Sequence, residues 1–258
     1  MNMENKRPMQ AIPVMRVLDK LDSYLAKNDY NGAERHLRYW LSEAEEGGDS
    51  RGRLMVLNEM IGLFRKIGKR SECIQAISAV MDLAETAEYE NTVTLGTTLI
   101  NAATGYKAFG EAKKALPLYE RAREIYESKL EPEDARLGGL YNNMALALTE
   151  LENFRKAEEL YYKAIGVMEK QEHGEPEMAI TYLNMADLVA AEKGLVEGAD
   201  QIEKHLEKAE ELLNTEGIPR NGNYAFVCEK CAPVFGYYGY FLVEKELGKR
   251  AREIYEGS

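Results

Sequence analysis

The amino-acid sequence predicts an all-α fold, a solenoid of about six helical hairpins, and three observations carry that expectation. Turn-type positions at Gly68, Gly110 and Glu152 step by 42 residues. Three further columns keep the same step: small residues at Cys73, Ala115 and Ala157, larger residues at Ile77, Tyr119 and Tyr161, and small or branched residues at Val80, Ala122 and Ala164. Within each period apolar residues recur twice at helical spacing around a short polar turn, so one period holds two helices. Two helices alone leave an apolar face uncovered, and neighbouring hairpins have to stack.

The elements follow in chain order. Residues 1–13 mix Glu4, Lys6, Arg7, Pro8 and Pro13 without an apolar run, which reads as an extension and not as a secretory signal. Five hairpins are expected over 14–216. The first turns at Lys27-Asn28-Asp29-Tyr30, with Ala33 as its small residue. The next three are the regular ones, and the fifth repeats Asn143-Met144-Ala145 as Asn184-Met185-Ala186 after 41 residues. Glu216-Gly217-Ile218-Pro219-Arg220-Asn221-Gly222 breaks helix and sets off a degenerate terminal unit, 217–258, with Gly239 as its turn and Ala251 as its second small residue. Pro233 predicts a kink or a helix start there, and the charged stretch Glu244–Glu256 predicts a capping helix facing water. The small residues have a packing reason. Where the second helix of a hairpin crosses the first, a side chain larger than Ala would hold the backbones apart.

Composition narrows the function. In 258 residues, Lys+Arg number 33 against 44 Asp+Glu, a formal charge of −11 that opposes nucleic-acid binding. Hydrophobic residues at 45% suffice for a core. The longest uncharged run, Asn91 to Tyr106, is 16 residues and short of the ~20 that span a bilayer, so no membrane segment is expected. Three cysteines are an odd number, which argues against a disulfide framework and fits a reducing, cytoplasmic setting. Cys228-Glu229-Lys230-Cys231 supplies two of the four ligands a structural zinc wants and reads as two small hydrophobes one helical turn apart. His36, His173 and His205 are scattered, and no nucleophile, metallopeptidase or phosphate-loop pattern occurs. No cofactor, metal or catalytic activity is expected.

The phrases Lys27-Asn28-Asp29-Tyr30-Asn31-Gly32-Ala33-Glu34-Arg35, Leu140-Tyr141-Asn142-Asn143-Met144-Ala145 and Ala157-Glu158-Glu159-Leu160-Tyr161-Tyr162-Lys163-Ala164 resemble the tetratricopeptide repeat. The usual repeat is about 34 residues. The longer step is similar to the repeats of kinesin light chains and of bacterial receptors for signalling peptides. The usual Trp of the first helix is replaced by Leu57, Leu99, Tyr141 and Tyr182. The resemblance implies a right-handed superhelix whose first helices line a concave groove for a protein or an extended peptide.

One groove column reads Asp19, Glu59, Asn101, Asn143, Asn184 and Lys230. A carboxamide carries both a donor and an acceptor and can pair with a peptide backbone whatever its side chains. First helices about 10 Å apart would meet every third residue of a ligand advancing about 3.3 Å per residue. Asn58, Arg65, Lys66, Thr104, Lys107, Asn142, Glu150 and Asp187 share the surface in the same register, and Arg65, Lys66 and Lys107 form a cationic island suited to an acidic group. The structural alternative for the asparagines is a bond to a neighbouring helix. The aromatic run Phe235 to Phe241 is expected to close the end of the array, with Tyr237 reaching the groove; exposed, it would favour a weak homodimer over a monomer. The expected function is a non-enzymatic peptide- or protein-binding scaffold. The alternatives are a regulatory receptor for a small signalling peptide and a self-assembling subunit.

Overall fold

The computed structural model describes residues 10–86 and 88–257, and among them every regular element is a helix. Residues up to Lys129 form one compact unit, and those from Leu130 a second. The first unit contains α1 (Val14–Leu25), α2 (Tyr30–Glu46), α3 (Ser50–Lys66), α4 (Arg70–Ala84), α5 (Val93–Ala108) and α6 (Ala112–Lys129). The second contains α7 (Ala135–Glu150), α8 (Phe154–Met168), α9 (Glu175–Glu197), α10 (Ala199–Leu213), α11 (Gly222–Tyr237) and α12 (Phe241–Glu256). Each odd-numbered helix packs on the even-numbered one that follows it. Hairpins then stack through α2 on α3 and α4 on α5 in the first unit, and through α8 on α9 and α9 on α11 in the second. The fold is an all-α repeat of helical hairpins.

Local chemistry sets the helix ends. Side chains of Asp29, Asp49, Thr92, Asp134 and Asn221 accept from backbone N–H groups of Gly32, Gly52, Leu95, Arg136 and Tyr224 at 2.8–3.2 Å, satisfying donors the helix leaves open. Five of the hairpins turn through one residue of positive φ, Asn28, Gly68, Gly110, Glu152 and Gly239, whereas in the α9–α10 hairpin the positive-φ residue is Gly194, at a kink inside α9 (φ +78°, ψ 167°). The 42-residue step read from the sequence is thus a repeated backbone conformation, φ +72° at Gly68, +74° at Gly110 and +57° at Glu152. Glycine adopts it without a Cβ clash and glutamate does not.

The packing columns are buried as expected. Ala33, Cys73, Ala115 and Ala157 have no exposed surface, and Ile77, Tyr119, Tyr161, Val80, Ala122 and Ala164 are at most 1% exposed. Asp49 is buried at the α2–α3 connection. One oxygen caps α3, and the other accepts from the Ile12 N–H at 2.9 Å. With Gln10 N–H donating to Gly47 C=O at 3.0 Å, residues 10–13 are strapped to that connection.

Two local expectations change. Pro233 lies inside α11 and starts no helix; an interior proline removes one N–H but does not stop a helix whose apolar face is packed. The aromatic run is divided: Phe235 is fully buried, whereas Tyr237 is 70% and Phe241 67% exposed. Successive helical positions point to different sides, so a dense run cannot all enter the core.

Candidate functional site

Within each unit, first helices of neighbouring hairpins meet side by side, α3 with α5 and α7 with α9. Both meetings carry the same device. Asn101 on α5 donates its Nδ2–H to Oδ1 of Asn58 on α3 at 2.9 Å, and Asn184 on α9 donates to Oδ1 of Asn142 on α7 at 2.9 Å. Asn58 is tied further, its Nδ2 donating to Leu54 C=O at 2.9 Å and to Thr98 Oγ1 at 3.2 Å. Asn101 and Asn184 each keep an Oδ1 and a second N–H with no partner among the described residues, as does the whole carboxamide of Asn143. In the repeat register the position equivalent to Asn58 and Asn142 in the intervening repeat is Ile100, a hydrocarbon. The asparagines therefore pair between columns one residue apart, with the Oδ1 and one N–H of Asn101 and of Asn184 left over.

In the first unit the pair borders a cavity of about 570 Å³ between α3, α5 and the connection preceding α5. Thr98, 1% exposed, and Tyr89, 5% exposed, line it. The Tyr89 hydroxyl is buried with no hydrogen-bond partner among the described residues. Glu59, half-buried in the same lining, also lacks a partner there. Burial, and secondarily the charge of Asp22, push its carboxyl above the usual range. Arg51 at the rim is paired with Glu88 at 3.4 Å.

The corresponding face of the second unit treats its carboxylate differently. Burial raises Asp187, and the Tyr238 hydroxyl opposes this by donating to Oδ1 at 2.7 Å. Tyr237 stacks edge-on against Tyr238 with ring centres 5.0 Å apart and exposes its outer side.

The remaining sequence candidates separate into surface and packing roles. Arg65 and Lys66 share the last turn of α3, with the Lys66 ammonium 5.6 Å from the Tyr30 ring centre, and Lys107 occupies the last turn of α5. All three sit where a helix C-terminus favours cations without any ligand. Thr104 is shared with packing, its hydroxyl 2.9 Å from that of buried Tyr119. Glu150 ends α7 on the surface. Asp19 is exposed on α1, and the Lys230 ammonium lies 5.5 Å from the Phe226 ring centre on α11.

Cys73, Cys228 and Cys231 are buried free thiols, and burial raises each, Cys73 to about 11. Among the described residues no group of three or more His, Cys, Asp or Glu is placed to hold a metal, and no helix is long and apolar enough to cross a membrane. Tyr89 and Thr98 escaped the sequence reading. Tyr89 lies in a connection with no helical register, and Thr98 is on the first helix but turned inward.

Residues 138–170, which span most of the α7–α8 hairpin, match the family model for the tetratricopeptide repeat. No curated protein matches the sequence. Among solved structures, kinesin-light-chain TPR-like repeats from Podosopora anserina are 16% identical, with a TM-score of 0.55 over 78% of this chain and 94% of that one. BtubC (BKLC) from P. vanneervenii is 19% identical, with a TM-score of 0.57 over 90% and 91%. A Rap protein complexed with competence and sporulation factor is 12% identical, with a TM-score of 0.60 over 93% of this chain and 63% of that chain. The chain carries a tetratricopeptide repeat, and its fold is that of TPR-like hairpin arrays.

Proposed function

We propose, from the premise that the chain is an array of tetratricopeptide-type hairpins, that it is a non-enzymatic scaffold binding an extended peptide or a peptide-like segment of a partner protein. The carrying observation is the amide pair repeated across adjacent first helices, Asn58 with Asn101 and Asn142 with Asn184. Each pair fixes one carboxamide by a neighbour's bond and leaves an acceptor and a donor without a partner among the described residues. A fixed donor–acceptor couple suits a peptide unit, which presents C=O and N–H together. A held side chain also loses less freedom on binding. Asn143 adds a third, unpaired carboxamide. At a net ~0.5–1.5 kcal/mol per bond, these amides supply part of the ~8 kcal/mol of a micromolar complex; side-chain pockets supply the remainder. That a structural neighbour was solved with a bound factor is consistent with this reading. A cytoplasmic setting accords with three unpaired, buried thiols.

The test is selection of peptides from a random display library on the immobilised full chain, followed by rebinding to the triple variant Asn101→Ala, Asn143→Ala, Asn184→Ala. Selected peptides should lose most of their affinity for a variant that keeps its helical circular dichroism. A folded variant with undiminished affinity would contradict the proposal.

Self-association is favoured by a separate observation. Leu195, Val196, Tyr237, Phe241 and Leu242 of the second unit are 53–89% exposed, and apolar side chains in that number suit a weak contact between copies. Sedimentation at increasing concentration distinguishes a monomer from a weak homodimer.

A further inference from the structure

We infer that the cavity between α3 and α5 is a specificity pocket for a basic side chain of the bound peptide, an arginine or lysine whose cation lies against Glu59 while Asn101 holds the adjoining backbone. This rests on the peptide-binding reading above and adds the chemical class of the residue that is read. At about 570 Å³ the cavity falls within the roughly 300–1,000 Å³ typical of small-ligand sites.

Its lining is polar and incompletely satisfied. Tyr89 is 5% exposed, and its hydroxyl is buried with no partner among the described residues. A ligand group that donates to it or accepts from it recovers a bond whose absence is costly to the free protein. Glu59 is a half-buried carboxylate with no cation against it. The lining cation, Arg51, is spent on Glu88, so the lining carboxylate without a cation against it is Glu59. An anionic ligand would meet repulsion there, and an apolar one would strand both Glu59 and Tyr89. A guanidinium or ammonium on an aliphatic stem satisfies both. Asn101, on the same lining, holds its spare Oδ1 and N–H beside the entrance for the peptide unit that carries the stem.

The experiment uses the full chain, immobilised, with pools of acetylated, amidated heptapeptides. The pools have uncharged randomised flanks and a central residue fixed as arginine, lysine, citrulline or glutamate. Citrulline keeps the shape of arginine without its charge, so the ligand side is tested with no change to the protein. The arginine and lysine pools should be retained about tenfold better than citrulline, equivalent to ~1.4 kcal/mol, and glutamate least. Glu59→Gln should bring arginine and citrulline within about twofold, and Tyr89→Phe should weaken the arginine pool several-fold. Asn101→Ala should lower all pools alike. Equal retention of arginine and citrulline by the unaltered chain, or a charge preference that survives Glu59→Gln, overturns the pocket. If retention in that case is still lost with Asn101→Ala, the peptide-binding reading stands without the pocket. Retention of no pool overturns both.

Discussion

The two compact units carry the same kind of amide pair, at intervals of 43 and 42 residues, and surround it differently. In the first, the pair borders a cavity that leaves Glu59 and the Tyr89 hydroxyl without partners. In the second, the surface carboxylate Asp187 is held by Tyr238 from a later hairpin. Under the proposed function the repeat would supply a common way of reading a peptide backbone, and departures from it would decide whether a side chain is read as well. Buried polar atoms without hydrogen-bond partners among the described residues occur in both units, Arg53 Nε and the Tyr89 hydroxyl in the first and the Tyr161 hydroxyl and Glu175 Oε2 in the second, and of these residues Tyr89 lines the α3–α5 cavity.

The largest stability effect tests whether the units share one packing rule. Ala115→Leu and Ala157→Leu place extra bulk where the second helix crosses the first, and each should cost about 1–3 kcal/mol by denaturant unfolding. A large difference between them would mean that the small column does different work in the two units. Removing the two hydroxyls should then separate the carboxylates. Tyr238→Phe takes a donor from the exposed carboxylate of Asp187 and should cost about 0.5–1.5 kcal/mol, whereas Tyr89→Phe removes a hydroxyl that bonds nothing among the described residues and should be neutral or slightly stabilising.

Turn replacements should have opposite signs and about equal size. Gly110→Ala forces a Cβ into the left-handed region and should destabilise by about 1 kcal/mol, while Glu152→Gly relieves that conformation and should stabilise by up to about 1 kcal/mol. The smallest effect is on pH dependence. Glu59 is raised in the folded chain, so folding disfavours its ionised form. Its contribution is best below the ordinary value of 4.5 and is lost as pH rises from there through the raised value. Melting followed from pH 4 to 7 should therefore show Glu59→Gln gaining on the unaltered chain as pH rises, and no relative gain would mean that Glu59 has a partner in solution.

The sequence made the turns and the small-residue columns legible because both repeat on one backbone and need no knowledge of a neighbour. Gly68, Gly110 and Glu152 are the left-handed turn residues expected, and Cys73, Ala115 and Ala157 are the buried crossing points. The asparagines were legible as a column and not as pairs. Whether Asn101 faces Glu59 or Asn58 depends on a rotation of α5 against α3 of a fraction of a turn, which periodicity does not fix. Thr104 had the right face but shares its hydroxyl with Tyr119, and Asp187 meets Tyr238 from 51 residues away. Tyr89 belongs to a connection, where side-chain direction follows from tertiary packing alone.

The side-chain amide signals of Asn101 and Asn184 test the central claim most directly, recorded by nuclear magnetic resonance on the full chain while a display-selected peptide is added. Both carboxamides should shift and gain protection from exchange in proportion to peptide bound, because their outward donors and acceptors would be taken by the ligand backbone. Saturation by peptide with both signals unmoved would mean that these amides only join helices to one another and that any ligand binds elsewhere.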